Sequence, residues 1–434
     1  MEEILSHAKK TAEHAEVFQA HSRVTPVNFE ANRLKEIQAK ESTTTALRLI
    51  KNGKIGFAQA KGFIEPKKLV KMAEETCQFG AEAIFNFPGP QVYQKTDVFD
   101  PKTEKLAIES MIQTGQQLID TVIGESPLVV CEAEVVKGII TVNIINSSGG
   151  NASYTKSYFN IGLEGVLVEN EDMLFVGDSR SSCRPITNYK PLAEDVIIQL
   201  QMAKKKNRLP AKQMPVIFTA RGVASAMMSP LISAFNGKTV FDGASPLRDK
   251  LGAQVFDKNF SLYDDATLSY QVGSYPCDDE GIPGQRTPLI ERGVVANFIY
   301  DLQTAALAKS SSTGNGDRRG GIPAPSPSSL VINAGNTDLD SMLKDIKEGL
   351  MVDILIGAEQ GNILNGDFSG NVLLGFKIEN GEITGRVKDT MVAGNVYQLL
   401  KHIVAIGNDA RWVEGFLFTP SLYCTGLSVA SKAG

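Results

Sequence analysis

The stretch Leu47-Arg48-Leu49-Ile50-Lys51-Asn52-Gly53-Lys54-Ile55-Gly56-Phe57 sets two β-rich runs on either side of an Asn-Gly pair. Asn-Gly accepts positive φ at both central positions of a two-residue turn, so the pattern predicts an antiparallel hairpin that reverses at 52–53. Outward from it, Glu16 to His21, Pro26 to Asn32, Lys35 to Ile50 and Ile55 to Ala60 read as strands of one meander. A helix carrying Ile4, Leu5, Ala8 and Ala12 precedes them. A second is expected over 66–78, with Pro66 suited to a first helical position and Gly80 following its end.

The same order then recurs. A helix from Thr103 to Ile123 places Leu106, Ile108, Met111, Ile112, Leu118, Ile119 and Val122 on one broad face. Strands follow over Leu128 to Ala133, Ile139 to Ile145 and Ala152 to Ile161, with a hairpin-like pair around Gly165 to Val176. Pro26-Val27-Asn28-Phe29 sits in the first array where Thr141-Val142-Asn143-Ile144 sits in the second, which suggests a duplicated helix-plus-strands unit. The general likeness of antiparallel meanders is the other explanation. A polar joint at Asn188 to Glu194 divides an N-terminal α+β domain, 1–190, from a C-terminal β-rich domain, 191–434. The second domain opens with a strand over Val216 to Thr219 and a buried helix over Val223 to Phe235. Hairpins are expected at Arg292-Gly293 and Asn380-Gly381, and helices over Leu339 to Leu350 and Asn395 to Ile406. The fold class is therefore α+β with mostly antiparallel sheets.

Composition removes several functions. With 44 Lys and Arg against 49 Asp and Glu the net charge is −5, which lacks the basic surplus that a phosphate backbone needs, so no direct nucleic-acid partner is expected. The run Lys204-Lys205-Lys206 with Arg208 reads instead as a solvated helix C-terminus. No segment is apolar for long enough to cross a membrane, and the first ten residues open acidic, unlike a secretory leader, so cytoplasm is the expected location. The five cysteines stand at long irregular spacings with no CxxC pair, as reduced buried thiols would. The four histidines are His7, His14, His21 and His402, so the body of the chain has no histidine for a metal site or a catalytic triad.

The remaining candidates are carboxylates and one glycine-rich segment. Asp264-Asp265 follows a strand, and Asp278-Asp279-Glu280-Gly281 lies between Cys277 and Pro283. Adjacent acids repel, so this turn is either solvated, or a hard-cation site, or an anchor for a peptide amine. The segment Ser310 to Gly321, which includes Ser312, Thr313, Gly314 and Asn315, lacks the GxxxxGK[ST] pattern and follows its helix, so it cannot cradle a phosphate. It reads as a functional loop over a cleft or as a plain connector. Asp367 is carried with these residues as a further candidate for the cleft.

Five stretches together resemble the TldD/PmbA family, also described as modulators of DNA gyrase. They are Ala46 to Phe57, Asp278 to Gly281, Ser312 to Asn315, Ile378-Glu379-Asn380-Gly381-Glu382-Ile383 and Gly407-Asn408-Asp409, spread over nearly the whole chain. The resemblance implies a cytosolic two-subunit zinc protease system acting on peptides. Its TldD type carries HExxxH, and its PmbA type, also called TldE, lacks it. Gly243-Ala244-Ser245 resembles the Gly-x-Ser segment that follows the zinc motif, with Asn236-Gly237 in the place of a Glu-Gly pair. Counting back puts Met228 and Ser233 in the places of the two histidines and Ser229 in that of the general-base glutamate. A thioether and hydroxyls are poor zinc ligands. The TldD type's CGKxGQ motif is also absent, and Cys424 does not match it.

The implied reading is a PmbA/TldE-type subunit, non-catalytic by itself and without a cofactor of its own, since zinc is expected only in a TldD-type partner. Its expected partners are that TldD-type chain and peptide substrates, with a homodimer possible when it is alone. The competing readings are an autonomous metal-independent hydrolase that uses Asp278, Asp279 or Glu280, and a homodimeric module that binds extended peptides.

Overall fold

The structure is a computed structural model and describes residues 1–170 and 172–432. Its N-terminal half runs α1 (Glu2–Ala8), β1 (His14–Glu30), β2 (Arg33–Ile37), β3 (Lys40–Lys51), β4 (Lys54–Lys61) and α2 (Pro66–Cys77). It continues with α3 (Pro101–Lys105), α4 (Ile108–Glu125), β5 (Val130–Asn146), β6 (Asn151–Glu169), β7 (Asp172–Ser182) and α5 (Lys190–Met202). The hairpin forms as expected: Ile50 pairs with Ile55, and φ is 52° at Asn52 and 70° at Gly53. One antiparallel sheet in the order β4-β3-β1-β5-β6-β7, with β2 beside β1, places two helix-and-hairpin units back to back across the β1–β5 pair.

The two central strands are longer than expected. Each merges two predicted strands into one of 17 residues. Pro26 does not break β1, because the ladder to β3 ends at Val24 and that to β2 begins at Val27. Its missing N–H falls in the gap between the two ladders. The helix expected over 103–123 divides into α3 and α4 at Leu106, whose backbone turns extended.

Alternation along the strands assigns the two faces of the sheet. Val17, Leu47 and Leu49 are buried with Leu69 and Ala73 of α2, and Cys131, Val135 and Ile161 with Leu118 of α4 and Val196 of α5. On the opposite face Phe18, Ala46, Val142 and Ile144 meet Cys277 of the C-terminal half.

The C-terminal half begins with β8 (Lys206–Asn207), β9 (Lys212–Phe218) and α6 (Ala220–Phe235). Strands Glu348–Ile356, Lys212–Phe218, Leu422–Ser431, Thr390–Asn395 and Asp367–Glu379 pair in that order, and the first closes on the last to form a barrel. A second, six-stranded sheet includes Arg286–Glu291, Leu262–Asp265, Leu330–Ile332 and Leu417–Thr419. Helix α6 lies between barrel and sheet, its Val223, Met227, Leu231 and Phe235 sharing a core with Phe218, Val352, Ile290 and Leu417. Thr219 caps it by accepting from Gly222 N–H, and a Cβ at Gly222 would stand 2.3 Å from the Val352 carbonyl. Only glycine permits that approach to the barrel.

Three expectations fail locally. The helices predicted over 339–350 and 395–406 stop at Lys344 and Leu399, and strands Glu348–Ile356 and Ile403–Ile406 take up the sequence. Their β-branched runs, Val352 to Ile356 and Ile403 to Ile406, fit a pleated surface better than a helix. The basic run is not a helix end either, since Lys206 begins β8, pairs with Arg386 and reaches Asp172 at 2.5 Å.

Two glycines of α4 test this packing. A Cβ at Gly115 would lie 2.3 Å from Cε2 of buried Phe29, whereas nothing lies within 4 Å at Gly124. Gly115→Ala should destabilise by about 1–3 kcal/mol through overpacking. Gly124→Ala should stabilise by up to about 1 kcal/mol. Thermal unfolding followed by circular dichroism reads both.

Candidate functional site

Most of the candidate residues gather where the two halves meet, and they are buried. Glu16 of β1 and Arg48 of β3 are cross-strand neighbours on the face turned toward the C-terminal half. Arg48 Nη1 donates to Glu280 Oε1 at 2.6 Å, and Arg48 Nη2 lies 3.1 Å from Glu16 Oε1. Arg318 reaches the same Glu16 carboxylate from the far side. The result is a chain of alternating charge, Glu280–Arg48–Glu16–Arg318, with each side chain at most 3% exposed. Phe85 and Phe87 stack against the Arg48 guanidinium at 4.8 and 5.0 Å, and Phe18 faces that of Arg318 at 5.3 Å. Ions removed from water need this density of partners, because an unpaired one costs several kcal/mol.

The turn that delivers Glu280 is organised by its own acids. Asp278 Oδ1 accepts from the N–H groups of Glu280 and Ile282, both at 2.9 Å, and its Oδ2 from Gly316 N–H at 2.8 Å. Asp279 Oδ2 accepts from Arg318 N–H at 2.9 Å. Glu280 Oε2 accepts from Leu302 N–H at 2.7 Å. Thr313 Oγ1 accepts from Tyr300 N–H, Ser312 Oγ donates to the Tyr300 carbonyl, and Gly314 N–H donates to Ser312 Oγ. Asn315 donates to Asp264 Oδ2 at 2.6 Å. The turn and the 310–318 segment are thus one interlocked unit, with Thr313 to Gly316 buried rather than spread over an opening. Asp367 stands apart, exposed at the start of a barrel strand and bonded to Asn395.

Burial governs the titration of these carboxyls. It pushes Asp278 well above the usual carboxylate range, and the neighbouring Glu280 charge adds to the shift. Burial likewise lifts Asp264 to about 6, against the opposing bonds from Asn315 and Ser328. Such groups suit structural acceptors, and none of them is among the residues that line the molecule's large cleft.

The large opening lies elsewhere. A cleft of about 1200 Å³ separates the exposed end of the N-terminal sheet from α6 and the strand ending at Ile356. On the helix side it is lined by Arg221, Ala224, Ser225 and Ser229. Ser229 therefore faces the cleft, Met228 is buried in the core and Ser233 is half-buried. From Ala220 to Phe235 no histidine, cysteine, aspartate or glutamate occurs, so this helix does not fit a zinc ion. Among the described residues no group of three or more such side chains is placed to hold a metal.

Arg48, Glu16 and Arg318 were not singled out from sequence. The available signal was Arg48 alone between Leu47 and Leu49 in a strand whose neighbours are buried, since a charge at such a position requires a partner. Glu280→Gln, which leaves Arg48 short of one counter-charge, should cost about 3 kcal/mol or more in stability by urea unfolding. Asp264 sets a pH test. Its folded-state pKa lies above the unfolded value, so stabilisation present below about pH 4 is lost as pH rises through about 6. Asp264→Asn should remove that part of the decline, giving a flatter melting temperature between pH 4 and 6.5 than the parent protein.

Comparison with known proteins fits this geometry. Residues 211–431 match the PmbA/TldA metallopeptidase C-terminal domain, and residues 15–77 match PmbA/TldA metallopeptidase domain 1. An uncharacterised protein of Methanocaldococcus jannaschii is 27% identical over 433 residues, which cover 98% of this chain and 99% of that protein. A metalloprotease PmbA homolog of Haemophilus influenzae is 27% identical over 332 residues, 75% of this chain and 69% of its own. The crystal structure of TldE from Thermococcus kodakarensis shares the fold at a TM-score of 0.90 and 23% identity, covering 99% of this chain and 100% of that one. With domain matches at both ends and half its length inside one of them, the chain belongs to the PmbA/TldD metallopeptidase family, as a member without the HExxxH motif.

Proposed function

We propose that this protein is a non-catalytic, TldE-type subunit of a cytoplasmic TldD/TldE zinc metalloprotease system. In this reading it pairs with a TldD-type chain, supplies one wall of the chamber in which peptides are cut, and brings no metal of its own. The observation that carries it is α6. The helix lies beside a cleft of about 1200 Å³, yet carries Ser229 in the place of the base and Met228 and Ser233 in those of the ligands. An open cleft beside a helix without ligands suits a chain that holds substrate for chemistry supplied by another.

The autonomous hydrolase reading gains no support from the site. Asp278, Asp279 and Glu280 are engaged by backbone N–H groups and guanidinium groups at the junction, and none lines the cleft. Among the described residues no helix is long and apolar enough to cross a membrane, which is compatible with the proposed location. The net negative charge weighs against direct contact with DNA, so any effect on gyrase would act through proteolysis of another protein.

The test is co-expression with a TldD-type chain from the same organism. The expected outcome is a complex that survives size-exclusion chromatography and cleaves unfolded polypeptide faster than the TldD-type chain alone, while this protein alone cleaves none. Failure to associate, together with an unchanged cleavage rate, would sink the proposal.

A further inference from the structure

The cleft has an uneven charge. Eight carboxylates and two cations line it. Both cations are already engaged, Lys35 with Glu30 and Arg221 with Asp353, and Asp178 is paired with Arg411. Glu36, Glu132, Glu134, Glu164, Glu359 and Glu414 are all exposed and have no basic partner among the described residues.

Two of these glutamates oppose each other. Glu132 of β5 and Glu164 of β6 are direct cross-strand partners, so their carboxylates rise from the same face of the sheet. Like charges in that relation are destabilising. The next residue across the row is Gly177 of β7, which leaves the pair without a neighbouring cation. Two residues along, the same face changes character, and Val130, Val166 and Phe175 form an apolar row over the three strands. Val168 and Met173 extend it. Phe175 is 37% exposed and Met173 52%, and Ile356 stands exposed on the opposite wall. Monomeric proteins leave contiguous apolar rows open where something docks.

We propose that this sheet face docks extended peptide segments in which an apolar residue is followed, at two-residue intervals, by lysine or arginine. The inference rests on the reading of this chain as a peptide-holding subunit and names the class of peptide. An extended chain repeats its side chains on one face every 6.5–7 Å or so, which is also the interval between successive rows of a sheet. An apolar side chain set on the Val130–Val166–Phe175 row thus brings the next same-face side chain over Glu132 and Glu164, and the one after it near Glu134. A cation at the first of those positions relieves the glutamate repulsion, and the gain exists only with the peptide bound. An acidic segment laid in the same place adds a third negative charge to the pair.

Direct binding by the full-length protein tests this. Two fluorescent, unstructured peptides of equal length and apolar content differ only in carrying Lys or Glu at alternate positions, and fluorescence anisotropy reads their affinities. The Lys peptide should bind about tenfold tighter at low ionic strength, with most of the difference gone near ~0.5 M salt. Glu132→Gln combined with Glu164→Gln should weaken the Lys peptide about fivefold, at about two- to threefold per contact, and should strengthen binding of the Glu peptide. Phe175→Ser should weaken both peptides alike. The paired Gln variant should unfold no earlier than the parent, since it removes a repulsion, so a loss of binding would not reflect unfolding.

Equal binding of the two peptides, or paired Gln variants that bind the Lys peptide as the parent does, overturns the proposal. So does sedimentation showing that self-association covers this face. The two readings fail separately. A protein that ignores a TldD-type chain but prefers the Lys peptide disproves the subunit role alone. A productive complex that binds both peptides equally disproves the charge preference alone.

Discussion

Two guanidinium groups alternating with two carboxylates hold this molecule together. Arg48 joins Glu16 of its own sheet to Glu280 of the other half, and Arg318 returns from that half to Glu16, so the junction is crossed twice by full charges out of water. A hydrophobic junction of the same size could slide, since burial has no direction. A buried ion pair cannot move by an ångström without exposing a charge to an apolar wall, and here Phe18, Phe85 and Phe87 form that wall. The contact therefore fixes register as well as attachment. The Asp278 turn and the segment through Asn315 serve it by setting Glu280 and Arg318 at the required height.

The site follows from where that junction stops. Loops of the C-terminal half cover one end of the sheet face, and the other end is left as the wall of the cleft. Opposite it, α6 is held too firmly to adapt, with Gly222 against the Val352 carbonyl and Pro230 within the helix accepting from Tyr397 through its carbonyl. Those constraints belong to the helix as a scaffold and are independent of what its exposed face carries. The side chains from Ala220 to Phe235 include no histidine, cysteine, aspartate or glutamate, so the helix does not fit a metal.

Much of this was legible in the sequence, because it is local. The Asn52-Gly53 hairpin, the Asn380-Gly381 hairpin and helices α2 and α6 follow from turn chemistry and periodicity that a few residues decide. The boundaries of β1 and β5 did not, since whether Pro26 breaks a strand depends on which neighbours pair beside it. The helices expected near 345 and 400 were overridden by β-branched runs that complete the barrel and its neighbouring strand, and a barrel is a property of the whole chain. Asp278, Asp279 and Glu280 were recognised as a cluster, but their role could not be read locally, because the partner that decides it, Arg48, lies 232 residues away. The acidic wall of the cleft was invisible for the same reason. Glu132 and Glu164 become neighbours only in the β5–β6 register.

The length of β5 has a consequence for how the protein can change over evolutionary time. At 17 residues it spans roughly 55 Å, and it runs from beneath the ion chain to the floor of the cleft without a break. It acts as a ruler. The distance between anchor and binding surface is fixed by backbone hydrogen bonds that do not depend on which side chains the outer face displays. Residues over the cleft can be exchanged freely while the anchor, which meets the same strand at Asn146, 12 residues beyond Glu134, registers nothing. Recognition can drift in such a molecule while its assembly is conserved.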